Sequence, residues 1–241
     1  QINFCVVTKG REGLTFYKGT GKKVFLAHDK FELEEYLNQI NKVIPLDKIL
    51  FQELIPINAE NFTISFTAFC VNGRIKCYWI GKKLIEHPVK FGTATLAQSI
   101  INSILYKQSR ILLKKLQYTG VCEVEYIYDY RDDTYKLIEI NPRTWLWVEL
   151  AIQEGINYPL YIYNYVNRIE TSYPHIYKLD RKWVNPYTNL IYGIKALLGG
   201  KFNIKRFLQL NSGKKVNALF QPEDIMPFLV YIFVTIKRLK G

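Results

Sequence analysis

Cysteine and histidine are scarce in this chain and nowhere grouped. The four cysteines (Cys5, Cys70, Cys77 and Cys122) form no Cys-x-x-Cys pair, and the three histidines stand apart at positions 28, 87 and 175. A zinc site is therefore not expected, and the thiols read as reduced and buried in strand-like segments of a cytosolic protein. Long apolar runs are missing too. The longest, Ile225 to Ile236, holds about a dozen residues with Pro227 and Thr235 inside, short of the roughly 20 that a spanning helix needs. No basic-then-apolar segment opens the chain, so neither a membrane-spanning protein nor a secreted precursor is expected. Low-complexity tracts, highly charged blocks and internal repeats are absent, which excludes a disordered tail or a solenoid. The first residue is Gln rather than Met, which reads as a processed product or a fragment.

What remains is an ordinary globular composition: 241 residues, 49% apolar and 22% charged. That length suits one large domain or two small ones. Lys and Arg outnumber Asp and Glu by 33 to 21, so the surface should attract anions. Nucleotides, nucleic acid and acidic lipid headgroups all satisfy that charge.

Two strands, Ile2 to Thr8 and Val24 to Ala27, flank a Gly- and Lys-rich stretch over residues 9–23. The stretch reads as a cationic loop, either a solvated hairpin or a flap over phosphate groups. Asp29 caps a helix with Glu32 completing a capping box, and Phe31, Leu33, Tyr36, Leu37 and Ile40 form its apolar face. Ile49 to Ile55 is a strand. Residues 61–71 and 74–80 alternate around Asn72-Gly73, a strong hairpin signal. Residues 93–118 read as one long amphipathic helix ended by Gly120, with Leu96, Ile100, Ile104, Ile111 and Leu112 on its apolar side. Residues 145–166 are apolar and partly helical, 171–188 a connecting loop, and 225–240 a basic amphipathic helix.

The hairpin from Val121 to Asn141 carries the most information. With a three-residue loop at 131–133, Glu125 falls opposite Glu139 and Glu123 opposite Asn141, all on one face. Val124, Tyr126, Tyr128, Ile138 and Ile140 take the core face. Facing carboxylates are destabilising unless neutralised, and a divalent cation with oxygen ligands would neutralise them. A solvent-facing acidic pair is the plain alternative, and a two- or four-residue loop would shift the pairing.

At Glu139-Ile140-Asn141-Pro142-Arg143 the sequence resembles the metal-binding core of the ATP-grasp superfamily. Four further segments agree in order: Val6 to Lys9, Phe51 to Ile55, Trp79 to Lys83, and Glu86 to Pro88 followed by Phe91 to Thr95. The subgroup most similar is that of the ATP-dependent carboligases, which are carboxylate–amine ligase-like. The resemblance covers about residues 1–170. It implies an α+β, ATP-grasp fold whose two subdomains grip the nucleotide, with the preceding α/β domain absent. Subdomain limits of 1–56 and 57–170 follow, with a basic extension over 171–241. It implies Lys9 on the ATP phosphates, Glu53, Leu54 and Ile55 at the adenine, and Glu60 at the ribose. Glu125, Glu139 and Asn141 would hold Mg2+ (or Mn2+). Arg143 and Lys83 would stand by the transferred phosphoryl group, which passes to a small carboxylate before an amine attacks. The rival reading is a nucleotide-, RNA- or anionic-membrane-binding module without turnover. Aromatics at alternating core positions and the lack of an RNP motif disfavour nucleic acid; the basic C-terminal helix reads first as packing on the core or on a partner, with peripheral membrane contact as the alternative.

Overall fold

The computed structural model describes residues 4–56, 63–87, 92–200 and 203–239. The chain divides into two compact units, Gln1–Asn58 and Ala59–Gly241.

In the first unit, strands β1 (Val6–Gly10), β2 (Phe25–Ala27) and β3 (Ile49–Glu53) form an antiparallel sheet in the order β2-β1-β3. Helix α1 (Gly13–Thr20) follows β1, and α2 (Lys30–Asn41) follows β2. Residues 9–23 are thus not a loop throughout. The glycines that read as loop residues are the entrance and exit of α1. A Cβ on Gly10 would stand 2.4 Å from Phe16 Cβ, so only glycine lets Phe16 fold back. Gly21, at φ 72°, caps the helix by donating its amide to Tyr17 O. Phe16 then packs edge-on against Phe25 beside Ile40, Ile44 and Ile49.

Asp29 caps α2 by accepting from the Glu32 amide at 2.9 Å. Glu32 reaches back to the His28 amide at 2.8 Å, one residue before the expected partner. Ile40 is buried and Tyr36 packs on Phe25 at 5.1 Å, whereas Phe31 is 69% exposed, so the helix leaves its first turn out of the core.

The second unit is built on strands β4 (Thr63–Val71), β5 (Arg74–His87), β6 (Thr93–Ser99), β7 (Gly120–Asp129) and β8 (Thr134–Asn141). Two later strands, β9 (Arg181–Val184) and β10 (Lys214–Asn217), complete a seven-stranded sheet of order β10-β9-β6-β5-β4-β7-β8. All neighbours are antiparallel except β9 and β10. The β4–β5 turn sits at Asn72-Gly73 with φ of 49° and 72°, the left-handed pair that an Asn-Gly hairpin supplies.

Residues 93–118 are not one helix. Residues 93–99 form β6, and only Ser103–Lys115 is helical (α3), capped by Asn102 Oδ1 accepting the Leu105 amide at 3.0 Å. β6 lies between β5 and β9 with Ala94, Leu96 and Ala97 buried. A strand covered on both faces loses the alternation that marks a strand. The inward line of α3 is Leu105, Ser109 and Leu113; Ile104 and Ile111 are exposed. This line covers one sheet face, against Ile64, Phe66, Ile80, Val124 and Tyr126.

The other face carries Trp79, Trp145 and Trp147, covered by α4 (Val148–Gln153) and α5 (Tyr158–Val166). Trp183 and Val216, from β9 and β10, belong to the same core. The segment 171–241 is therefore no appended extension: it widens the sheet and carries helices α6 (Pro186–Leu198), α7 (Ile204–Leu210) and α8 (Met226–Leu239). No helix among the described residues is long and apolar enough to cross a membrane.

Gly81 allows the tryptophans to close over the sheet. A Cβ there would lie 2.2 Å from Trp79 and 2.3 Å from Trp147. Gly81→Ala should destabilise the second unit by about 1–3 kcal/mol through overpacking. All four tryptophans lie in this unit, so urea unfolding followed by tryptophan fluorescence reports it. An unchanged midpoint would refute the packing role.

Candidate active site

The face of β7 and β8 that bears the acidic residues has the expected pairing at its far end, reached by an unexpected route. The hairpin loop is four residues, not three, since Asp129 pairs with Thr134 and Tyr126 with Leu137. A bulge between Glu125 and Tyr126 then takes up one residue on β8. Beyond it Glu125 faces Glu139 and Glu123 faces Asn141. The loop length that should have shifted the pairing is offset by the bulge.

Next to β7, strand β4 sets Thr63, Ser65 and Thr67 on the site face and Ile64, Phe66 and Ala68 in the core, with Ser65 paired to Glu125 and Thr67 to Glu123. These short hydroxyl side chains leave a trough. Lys83, from β5 on the far side of β4, extends along it and donates to both Glu125 oxygens, at 3.2 and 3.4 Å. Its side chain is almost wholly enclosed, as is much of Glu125.

Glu123, which the sequence analysis paired but gave no role, is the most deeply placed carboxylate of the site, 3% exposed. Its oxygens accept from Ser65 Oγ at 2.8 Å and from Asn141 Nδ2 at 3.2 Å. Asn141 Nδ2 also donates to Glu139 Oε1 at 2.9 Å. With both amide hydrogens so engaged, Asn141 turns its Oδ1 the other way, where Arg143 Nη2 approaches to 3.5 Å. Arg143 is exposed and also donates to the Thr144 carbonyl at 3.0 Å. The signal that could have found Glu123 and Ser65 was the Thr-x-Ser-x-Thr alternation of β4, an unusual polar lane in a central strand.

The electrostatics follow from burial. Desolvation, then repulsion from Glu125, pushes the Glu123 carboxyl from 4.5 up to about 7. Burial alone would lower Lys83, but Glu125, Glu86 and Glu123 together hold it above its ordinary value. Glu86 is raised by burial, although Thr63 donates to it at 3.1 Å.

Among the described residues no three His, Cys, Asp or Glu side chains form a metal-binding group. The oxygen set available is narrower: Glu125, Glu139 and the Asn141 amide oxygen. These are hard donors with Glu139 open to solvent, which fits magnesium's demand for one or two carboxylates with room for water and phosphate.

In the first unit, Lys9 sits half-buried on β1 opposite Leu50. The Leu54 amide donates to Cys5 O at 2.9 Å, so strand alternation turns the peptide groups of Glu53 and Ile55 to the opposite edge. Glu60, with Pro88 and Phe91, lies outside the described residues. A cavity of about 960 Å3 opens at the Asn72-Gly73 turn beside α3, and none of the candidate residues lines it.

This fold, two α+β units with paired carboxylates on a hairpin of the larger, is that of the ATP-grasp enzymes. Residues 81–162 match the family described as carbamoyl-phosphate synthase L chain, ATP binding domain. D-aspartate ligase of Enterococcus faecium (strain Aus0004) is 27% identical over 124 residues, 51% of this chain and 30% of that protein. The biotin carboxylase domain of Hydrogenobacter thermophilus 2-oxoglutarate carboxylase, solved with MgADP, superposes with a TM-score of 0.57 at 15% identity, covering 75% of this chain and 40% of that one. N5-carboxyaminoimidazole synthetase from Staphylococcus aureus, complexed with ADP, gives 0.53 at 15% identity, covering 73% and 44%. The likeness to that ATP-binding family is thus carried by residues 81–162, and the fold is shared with these ATP-grasp structures. The chain spans less than half the length of each of these relatives.

The raised Glu123 carboxyl has a measurable consequence. Folded, it holds a proton more tightly than unfolded, so its contribution to stability is complete below pH 4.5 and is lost as pH rises to about 7. In metal-free buffer, the urea midpoint reported by tryptophan should fall less across that window in Glu123→Gln than in the unsubstituted chain. Identical slopes would refute the assignment.

Proposed function

We propose that this chain is the ATP-binding body of a ligase that activates a carboxylate as an acyl phosphate for attack by an amine. The observation that carries the reading is the facing pair Glu125 and Glu139 with Asn141 beside it, bordered by Lys83 and Arg143. Two acidic strands held this close are hard to explain as structure alone.

In this reading the carboxylate substrate attacks the γ-phosphorus of ATP, releasing ADP and giving an acyl phosphate. The amine then attacks the acyl carbon, expels inorganic phosphate and loses a proton, leaving an amide. Glu125, Glu139 and Asn141 would hold Mg2+, or Mn2+, which supplies charge neutralisation for the phosphates. Glu123 and Ser65 hold Asn141 so that its Oδ1 faces out. Lys83, released from Glu125 when that carboxylate takes up the cation, would place its ammonium toward the reacting phosphoryl group. Arg143, exposed at the end of β8, would neutralise charge on the phosphoryl oxygens or the acyl phosphate. Lys9 would meet the ATP phosphates, with the Glu53 and Ile55 peptide groups, on either side of Leu54, along the adenine edge. Phosphoryl transfer needs placement and charge more than a protein nucleophile. D-aspartate ligase makes an amino acid a reasonable first class of substrate to screen.

Calorimetric titration with a non-hydrolysable ATP analogue tests the reading. Binding should strengthen with Mg2+, and Glu139→Ala should weaken the Mg2+-dependent component by at least about tenfold. In the full-length protein, Arg143→Ala should lower turnover by about 100-fold while analogue binding changes little. Binding with no Mg2+ dependence in a folded chain would refute the metal assignment. Unimpaired turnover in Arg143→Ala would remove that residue from the chemistry.

A further inference from the structure

Helices α6, α7 and α8 carry their apolar side chains on the outside. On α6 the exposed residues are Leu190, Ile194, Leu197 and Leu198, at spacings of four, three and one. On α8 they are Met226, Leu229, Val230, Phe233 and Val234, spaced three, one, three and one. Ile204 and Leu208 repeat the pattern on α7. These are helical stripes of the kind that ordinarily face a core, yet Leu198 is 82% and Phe233 69% exposed. The inward side of α6 is Asn189, Tyr192 and Gly193: Tyr192 packs with Phe207 of α7 on Leu84, Ile85, Leu96 and Val184, and Gly193 lies against the Phe207 ring. Tyr187 of α6 meets Tyr231 of α8 edge-on at 5.7 Å, so the three helices are neighbours.

The charge around these stripes is mostly positive. From Leu190 to Gly241 there are nine Lys and Arg against two acidic residues, Glu223 and Asp224. The other 189 residues carry 24 against 19. The cations are interleaved with the apolar side chains: Lys195 follows Ile194, and Lys205 and Arg206 lie between Ile204 and Leu208. Protein–protein interfaces are depleted in Lys, whereas an anionic bilayer accepts apolar side chains below and Lys above the same plane.

We propose that helices α6–α8 form a docking surface for an anionic lipid bilayer, lying in the interface rather than crossing it. Leu190, Ile194, Leu198 and Phe233 enter the acyl boundary, and Lys195 and Lys205 meet the phosphate headgroups. The active-site carboxylates lie on β7 and β8, at the opposite end of the sheet from β9 and β10, whose segment bears these helices. The surface goes beyond the ligase reading and stands or falls separately from it.

The test is co-sedimentation of the full chain with vesicles of phosphatidylcholine alone or with about one third phosphatidylglycerol. Binding should be at least about tenfold stronger to the anionic vesicles and fall steeply in 0.5 M salt. Leu198→Glu with Phe233→Glu should abolish it, and Lys195→Glu with Lys205→Glu should remove the preference for anionic lipid. Both pairs change exposed side chains, and circular dichroism checks that the fold is kept. Absence of binding by the folded protein would overturn the proposal, as would binding that neither pair affects. A dimer that ignores vesicles and is split by the Leu198 and Phe233 changes would assign the face to a second copy instead. Binding to single-stranded RNA without vesicle binding would likewise overturn it.

Discussion

Two carboxylates facing each other across antiparallel strands must be neutralised, and much of the second unit is arranged around that requirement. Glu125 and Glu139 stand opposite each other, with Glu123 one pair further along the same face. Water cannot screen them fully, because Glu123 and much of Glu125 are enclosed. The protein answers in three ways: Lys83 reaches Glu125, Asn141 donates to two of the carboxylates, and burial raises the Glu123 pKa. Each answer is local, and each depends on β4 presenting hydroxyls where a central strand would usually present bulk. A larger residue at Ser65 would both deprive Glu123 of its donor and block the path of Lys83.

The same answers suit a site that must exchange one cation for another. An ammonium on a four-carbon stem is a mobile neutraliser, able to withdraw when a divalent cation takes its place. Glu123 has no such freedom, since Ser65 and Asn141 hold it. A rigid, deep carboxylate that orients an amide, beside a shallower pair that would bind an ion in the proposed function, is a division of labour that a single layer of ligands could not give.

Much of this was legible in the residues. The acidic hairpin announced itself by strict alternation, and Asn72-Gly73 by a turn chemistry few other pairs provide. The boundaries that went wrong did so for identifiable reasons. β6 is covered on both faces, so Ala94, Leu96 and Ala97 gave no period of two and merged with the true helix behind them. Gly10 and Gly21 looked like loop residues because close approach to Phe16 and a left-handed helix cap are tertiary demands with the same local symptom as a loop. The four-residue loop and its bulge compensate each other, so a wrong loop length still led to the right partner for Glu125. Lys83 was named, but its partner was not: Glu125 is 42 residues away in sequence, and only the sheet order, with β4 between, brings the two together.

Glu154 shows the limit of such reading most clearly. It caps the end of α4, where an acidic residue would be expected to meet solvent, yet it is 1% exposed. Ser99 Oγ and Trp79 Nε1 donate to it, and the Arg181 amide lies at 3.4 Å. One side chain thus joins β5, β6, the end of α4 and β9. An unpaired carboxylate at that depth would be untenable; Ser99 and Trp79 pair it, and β9 adds the Arg181 amide as a further donor. The late segment that bears β9 and β10 is part of the same sheet and tryptophan core, although its sequence read as a separate extension. Its helices reach the sheet through Tyr192, Phe207 and Leu210, which pack on Leu84, Ile85, Leu96 and Val184, while their leucines at 190, 197, 198 and 208 stay outward.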